Sequence, residues 1–357
     1  MNNALVRQIA DAVLYEGYIL YPYRRSSIKN QHRWNFGVLY PRAYAEAQTG
    51  NDSWTMQAEC LALVKADATI DVGARFLHLV DREIGRIPHG QETADLEKVA
   101  YEPVPALALE SGEIFQSWQE AREREINVSS PLGNLQGSPL TVPFSFASGR
   151  TVAPIHANGD IVGIVARHNQ PASGVLSIEV EEQTGSRYGD DAREAAGKPA
   201  YRSLCKMRIC LSNDGKLDSA DREHALRQSL LSAHLVIAIE NGEFISLLDP
   251  EDEFRSAAAA CSNIGCWPVL VGANGERGTM LVSPIILYDY PQVAPQSAGD
   301  LFDGTEIDEI LSLRIMTLTD EEKREMETSD ARARQILERT EAMPVEQFMK
   351  LHGVMRR

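Results

Sequence analysis

No apolar run in this 357-residue chain reaches the ~18 residues that a membrane-spanning helix needs. Arg7, Gln8 and Asp11 break the first twenty positions, where a secretory leader is uninterrupted. No membrane association is expected, and a cytoplasmic location is. Positive charge is short: 35 Lys and Arg stand against 51 Asp and Glu, a formal net charge of −16. Such a field repels a phosphate backbone, which argues against nucleic acid as a partner. Cysteine is sparse and odd in number, five in all, so no disulfide framework is expected and the thiols should be reduced. The chain also lacks the glycine-rich phosphate cradles, the G-x-S-x-G nucleophile elbow and the H-E-x-x-H zinc helix. No repeat of 20 to 50 residues is visible, which sets aside solenoids and propellers.

What is present is an ordinary globular composition, 43% hydrophobic and 24% charged, long enough for two domains or one large β-rich one. Residues 4–14 carry Leu5, Ile9, Ala12 and Val13 on one helical face, and Gly17 is expected to end that helix. "TMQAECLALV" and "ATIDVGARFLHLV" read as two strands, and 114–126 as a helix or a long strand. "PLTVPFSF" and "TVAPIHANGDIVGIV" read as further strands. Asn-Gly occurs at 158–159, 241–242 and 274–275, each time between apolar alternating runs. Both residue types tolerate positive φ, so each pair predicts a hairpin with a type I′ turn. Helices are expected at 219–230 and 252–261, and a loop at 181–203. Thr305 with Asp308 and Thr319 with Glu322 have capping-box spacing and predict helix starts.

The fold class that follows is α+β and β-rich: antiparallel sheets built from hairpins, sandwich-like in the middle, with a helical C-terminal tail. The expected division is an N-terminal α+β portion at 1–130, a hairpin-rich portion at 131–304 and the tail at 305–357.

Four cysteines form two C-x₄-C pairs, Cys205 with Cys210 and Cys261 with Cys266. "CKMRIC" reads as a strand, where positions five apart face opposite sides, so buried thiols fit better than a metal site. The eight histidines show no i,i+4 pairing. Neither metal nor cofactor is expected.

Residues 15–34, "YEGYILYPYRRSSIKNQHRW", hold four tyrosines, a tryptophan and four Arg or Lys against one acid. That is the composition of an interface hot spot, since Tyr and Trp bury large area at low entropic cost and Arg forms forked hydrogen bonds. A structural strand pair has the same composition. Charge is polarised: residues 1–45 hold six Arg or Lys against two acids, and residues 300–330 hold eleven acids against three bases. Opposed ends allow a contact within one chain or between copies, so a homo-oligomer is open.

Residues 15–41 and 283–326, "SPIILYDYPQVAPQSAGDLFDGTEIDEILSLRIMTLTDEEKREM", resemble paired hallmark segments of an uncharacterised bacterial protein family associated with gene clusters for uptake NiFe-hydrogenases. Residues 230–254 and "CWPVLVG" are similar to the middle of that family, and the likeness spans about a third of the chain. The resemblance implies a cytosolic accessory protein that binds other proteins during hydrogenase assembly or maturation. Its partner would be a hydrogenase subunit or another maturation protein. It assigns no catalytic residue. The binding candidates are Tyr15, Glu16, Tyr21, Tyr23, Arg24, Arg25, Lys29, Asn30, Arg33 and Trp34, with Tyr288, Asp289, Tyr290, Asp300, Asp303, Glu306 and Asp308. Opposite charge suggests that Arg24, Arg25 or Arg33 faces Asp300, Asp303 or Asp308. An enzyme acting on a small anionic substrate, or a structural subunit of a larger complex, are the competing readings.

Overall fold

The computed structural model describes residues 3–19, 37–88, 90–91, 94–183, 203–217, 221–292 and 318–320, with 323–324, 334, 337–338 and 340–342 near the C-terminus. Of residues 15–19 it describes the backbone alone. The protein is a β-rich α+β fold, and every pairing between its strands is antiparallel.

One strand organises it. β1 (Thr55–Arg86) runs for 32 residues and takes partners on both edges. Near Leu61–Val64 these are β10 (Ser203–Asn213) and β11 (Leu231–Ile245). Across Thr69–Arg75 they are β11 and β5 (Trp118–Pro131), and at Asp81–Arg82 β5 and β8 (Asp160–Asn169). β2 (Glu102–Val104) closes its last residues, beside a separate ribbon of β3 (Ala106–Ala108) and β4 (Ile114–Gln116). The sheet continues from β10 to β9 (Ala172–Glu182) and β6 (Leu140–Phe146), and from β11 to β13 (Thr279–Ser283) and β12 (Trp267–Leu270); β7 (Gly149–Ala157) lies outside β8.

The two runs read as separate strands are therefore one. Between them the ladder slips, from Val64 opposite Gly242 to Thr69 opposite Glu240, so residues 65–68 of β1 bulge out. This corrects the hairpin expected at Asn241–Gly242: the residues on both sides of it pair with β1 instead of with each other. Asn241 has positive φ, 57°, yet uses it to absorb the bulge, and its Nδ2 donates to Asp67 Oδ2 at 3.1 Å across it. Asn158–Gly159 does form the two-residue turn, both at positive φ, joining β7 to β8. At 274–275 a hairpin joins β12 to β13, but through residues 271–278 and with positive φ at Gly275 and not at Asn274, so the turn is not type I′.

The inner face of β1, at every second residue from Met56 to Val64 and from Ala68 to Phe76, lines the main core with Leu176, Ile178, Met207, Ile209, Leu235 and Ile237. β6 is three strands from β1 in the sheet, yet Phe144 and Phe146 each sit 5.9 Å from the Phe76 ring. The sheet thus curls over until its far edge covers β1. Three strands that end the sheet, β6, β7 and β12, each contain a proline, Pro143, Pro154 and Pro268. Proline has no amide to offer a further strand, so these edges resist pairing with another chain.

Helices cover the outer face. α1 (Asn3–Ile19) runs past Gly17, against expectation, because its apolar stripe Val6, Ile9, Ala10 and Val13 is held on Val269, Val271 and Leu281. Each such aliphatic burial contributes roughly 1.5–3 kcal/mol, more than one glycine costs. Beside it α2 (Arg42–Ala47) brings Tyr44 against Leu14, Leu77 and Leu79. α3 (Arg222–Leu226) starts at Asp221, whose carboxylate accepts from the Glu223 and His224 amides, and it is shorter than the sequence suggested because β11 begins at Leu231. α4 (Arg255–Ala259) follows a 3₁₀ turn at Asp252–Phe254. The described C-terminal residues include helical positions from Asp320, just after Thr319 as its capping spacing predicts. Leu318 and Leu337 pack into the Tyr40 and Leu77 cluster. Glu322, Thr305 and Asp308, and the loop residues 184–202, lie outside the described residues.

Candidate functional site

Between the N-terminal half of α1 and the strands β1 and β5 lies a groove of about 480 Å³. Val6, Arg7 and Ala10 form one wall, Glu125, Asn127 and Ser129 the other, and Asp71, Gly73 and Arg75 the floor. Period two explains the polar wall: in "REREINVSS" Glu125, Asn127 and Ser129 share the face opposite to Arg124, Ile126 and Val128. Gly73 sets the depth, since a Cβ there would stand 3.0 Å from Asn127 Oδ1.

Arg75 is 5% exposed and holds the groove's end. Its Nη2 lies 2.5 Å from Asp11 Oδ1 on α1 and 3.6 Å from Glu123 Oε2 on β5, so one guanidinium ties helix to sheet. Beneath it His234 is fully buried; its Nδ1 meets the Ser232 carbonyl at 3.0 Å, and burial pushes its pKa down to about 4, so it is neutral at pH 7. Among the described lining residues there is no histidine, cysteine or lysine, and Ser129 stands opposite Asp71 in the ladder. The groove can hold a polar chain through Asn127, Ser129 and its carboxylates.

A second surface surrounds β12. Leu248, Ile264, Trp267, Ile286 and Tyr288 are the large hydrophobic residues left exposed among the described ones; Trp267 begins β12, and Tyr288 precedes the two residues that hydrogen-bond to Leu270 at its other end. Tyr288 is 82% exposed, Ile286 70% and Trp267 41%. The chain just after Tyr288 is hydrogen-bonded to its neighbours. Asp289 Oδ2 accepts from Ser246 Oγ at 2.5 Å and Oδ1 from the Leu270 amide at 2.8 Å, while the Tyr290 amide donates to the Leu270 carbonyl at 2.7 Å. Tyr290 itself takes positive φ, 56°, and packs against the main core.

Of the residues singled out in the sequence, Tyr288, Asp289 and Tyr290 thus meet at one edge, with Tyr288 facing outward and Asp289 fixing the chain. Tyr15 and Glu16 lie in the second half of α1. Tyr21, Tyr23, Arg24, Arg25, Lys29, Asn30, Arg33, Trp34, Asp300, Asp303, Glu306 and Asp308 lie outside the described residues, and with them the expected contact between opposite charges. The groove residues Asp71, Gly73, Arg75, Glu125, Asn127 and Ser129 were missed. The alternation of "EAREREI" held the signal, because a strand reading at once separates arginines from glutamates onto opposite faces.

The thiols are poor nucleophiles. Cys205 and Cys210 pair with Ala62 and Gln57, on opposite faces of β10. Burial pushes Cys205 and Cys261 up to about 11 and Cys266 up to about 12, so they stay protonated at pH 7. No helix among the described residues is long and apolar enough to cross a membrane.

No family model and no curated protein matches the chain. Among solved structures it aligns with the secretin InvG of the Salmonella SPI-1 type III secretion injectisome, at 9% identity over 58% of this chain and 69% of that one, with a TM-score of 0.07. The open-gate form of the same secretin aligns at 9% identity over 58% of this chain and 65% of that one, TM-score 0.08. Likenesses at these scores carry no argument about fold or function.

Proposed function

We propose that this chain is a cytosolic accessory protein that works by binding another protein, with a NiFe-hydrogenase subunit or a hydrogenase maturation protein as partner. The observation that supports binding is Tyr288: a large aromatic side chain, 82% exposed, on a backbone clamped by Asp289 and Tyr290 to β12. A preorganised aromatic makes contact with little ordering cost, as interface hot spots do. The choice of partner rests on the resemblance of residues 15–41 and 283–326 to the hydrogenase-associated family.

The test is affinity purification of the tagged chain from its native host under hydrogenase-inducing conditions, read by mass spectrometry. Tyr288→Ala with Ile286→Ser, and Arg24→Ala with Arg25→Ala and Trp34→Ala, serve as comparisons. Enrichment of a hydrogenase subunit or maturation protein, lost in a folded variant, is the expected result. Recovery of the chain alone removes the reading.

A further inference from the structure

The inner face of the sheet changes character at one end of the core. Along β1 its positions run Ile70, Val72, Ala74 and Phe76, then His78 and Arg82. On β5 Arg124 stands opposite Phe76, Arg122 opposite His78 and Glu120 opposite Val80; on β8 Arg167 stands opposite Arg82. Residues directly opposite in an antiparallel ladder share a face. Four guanidinium groups and an imidazole therefore share this face with one carboxylate, Glu120.

That carboxylate is already committed. Glu120 Oε2 accepts from Arg167 Nε at 2.7 Å, and its Oε1 from Arg167 Nη2 at 3.2 Å and Arg82 Nη1 at 3.5 Å. Among the described residues Arg122 and Arg124 have no carboxylate partner, because their sequence neighbours Glu123 and Glu125 point to the other face, toward Arg75 and the groove. Arg124 lies over the Phe146 ring at 4.4 Å, and its Nε is buried without a hydrogen-bond partner. His78 is fully buried, and neither of its ring nitrogens makes a hydrogen bond of proper geometry, although the Gln170 backbone lies near. Burial, then Arg124 and Arg122, push its pKa down to about 4. Arg122 is exposed and Arg124 half-buried, so two like charges stand side by side above a buried imidazole, and a bound anion would offset their repulsion.

We infer that Arg122, Arg124 and His78 form a binding site for the oxyanion group, carboxylate or phosphate, of a small ligand. The two guanidiniums supply forked N–H donors from the solvent side. Phe146 holds Arg124 in place and His78 closes the site from beneath. This site lies on the opposite face of β5 from the groove and does not depend on the identity of the protein partner.

Calorimetric titration of the full chain with inorganic phosphate, and separately with succinate, tests it, with ionic strength held constant by sodium chloride. One of the two should bind with a stoichiometry of one, and which one binds assigns the oxyanion. Affinity should fall about tenfold or more in Arg122→Gln, an exposed side chain whose loss leaves the core intact, and in Arg124→Gln, with folding confirmed by circular dichroism. No heat beyond the chloride control from either anion, or equal affinity in wild type and Arg122→Gln, would overturn the site.

Discussion

Asp11 on α1 and Arg75 in the middle of β1 stand 2.5 Å apart, and the arginine is all but sealed from solvent. Asp11 is one-third exposed and Glu123 stays 3.6 Å from the same guanidinium, so the loss of Asp11 leaves a buried charge partly compensated. Asp11→Ala is expected to cost about 2 kcal/mol, below the full penalty for breaking a buried pair. Urea denaturation measures it. Faster hydrogen exchange across α1 should accompany the loss; an unchanged midpoint would mean that the helix is held by its apolar stripe alone.

Asp289→Ala leaves the Leu270 amide without its acceptor and frees the chain around Tyr288. A loss of about 1–3 kcal/mol in stability is expected, together with weaker partner capture although Tyr288 is intact. Asp289→Asn, which keeps one carbonyl acceptor, should lose less of both. Equal capture by Asp289→Ala and wild type would show that the rigid backbone does not matter.

Two buried histidines set an acid limit. His78 faces Arg122 and Arg124, and His234 faces Arg75 and Asp11; both are held at about 4, against an ordinary 6.5. The unfolded chain binds more protons between those values, so stability is complete above pH 6.5 and falls as pH drops toward 4. Each histidine can account for roughly 3 kcal/mol at the low end. Thermal midpoints measured from pH 7.5 to pH 4.5 should decline, and the decline should shrink in His78→Gln if that variant folds or in His234→Gln otherwise. A flat profile would place both rings in contact with water.

Gly174 is where β9 crosses closest to its neighbours: an added Cβ would stand 2.0 Å from the Ser212 carbonyl and 2.6 Å from Phe144. Gly174→Ala is expected to cost about 3 kcal/mol through overpacking, whereas Gly50→Ala, with nothing within 4 Å, should be neutral within about 0.5 kcal/mol. The two midpoints measured side by side make the comparison.

The sequence made the β-rich class readable because alternation and turn chemistry are local. Asn158–Gly159 met strands free to pair with each other and became the turn it predicts. Asn241–Gly242 has the same chemistry, but a third segment, β1, captured both of its flanks, and no local pattern announces such a partner. Gly17 failed as a helix stop for a similar reason: α1 rests on strands more than 200 residues away. The site was less legible than the fold. Tyr288 was visible as an aromatic in a distinctive segment, whereas Arg75, Asn127 and Arg122 gain meaning only once β5 is laid beside β1.

β1 also dictates when the protein can be finished. Its partner β5 emerges soon after it during synthesis, but β10 and β11 follow only by residues 203–245, so roughly 160 residues separate the end of β1 from the end of its last partner. At the ~5–20 residues per second of a ribosome, an apolar strand edge stays open for on the order of 10–30 s. Slower translation would lengthen the exposure of that edge to misassembly.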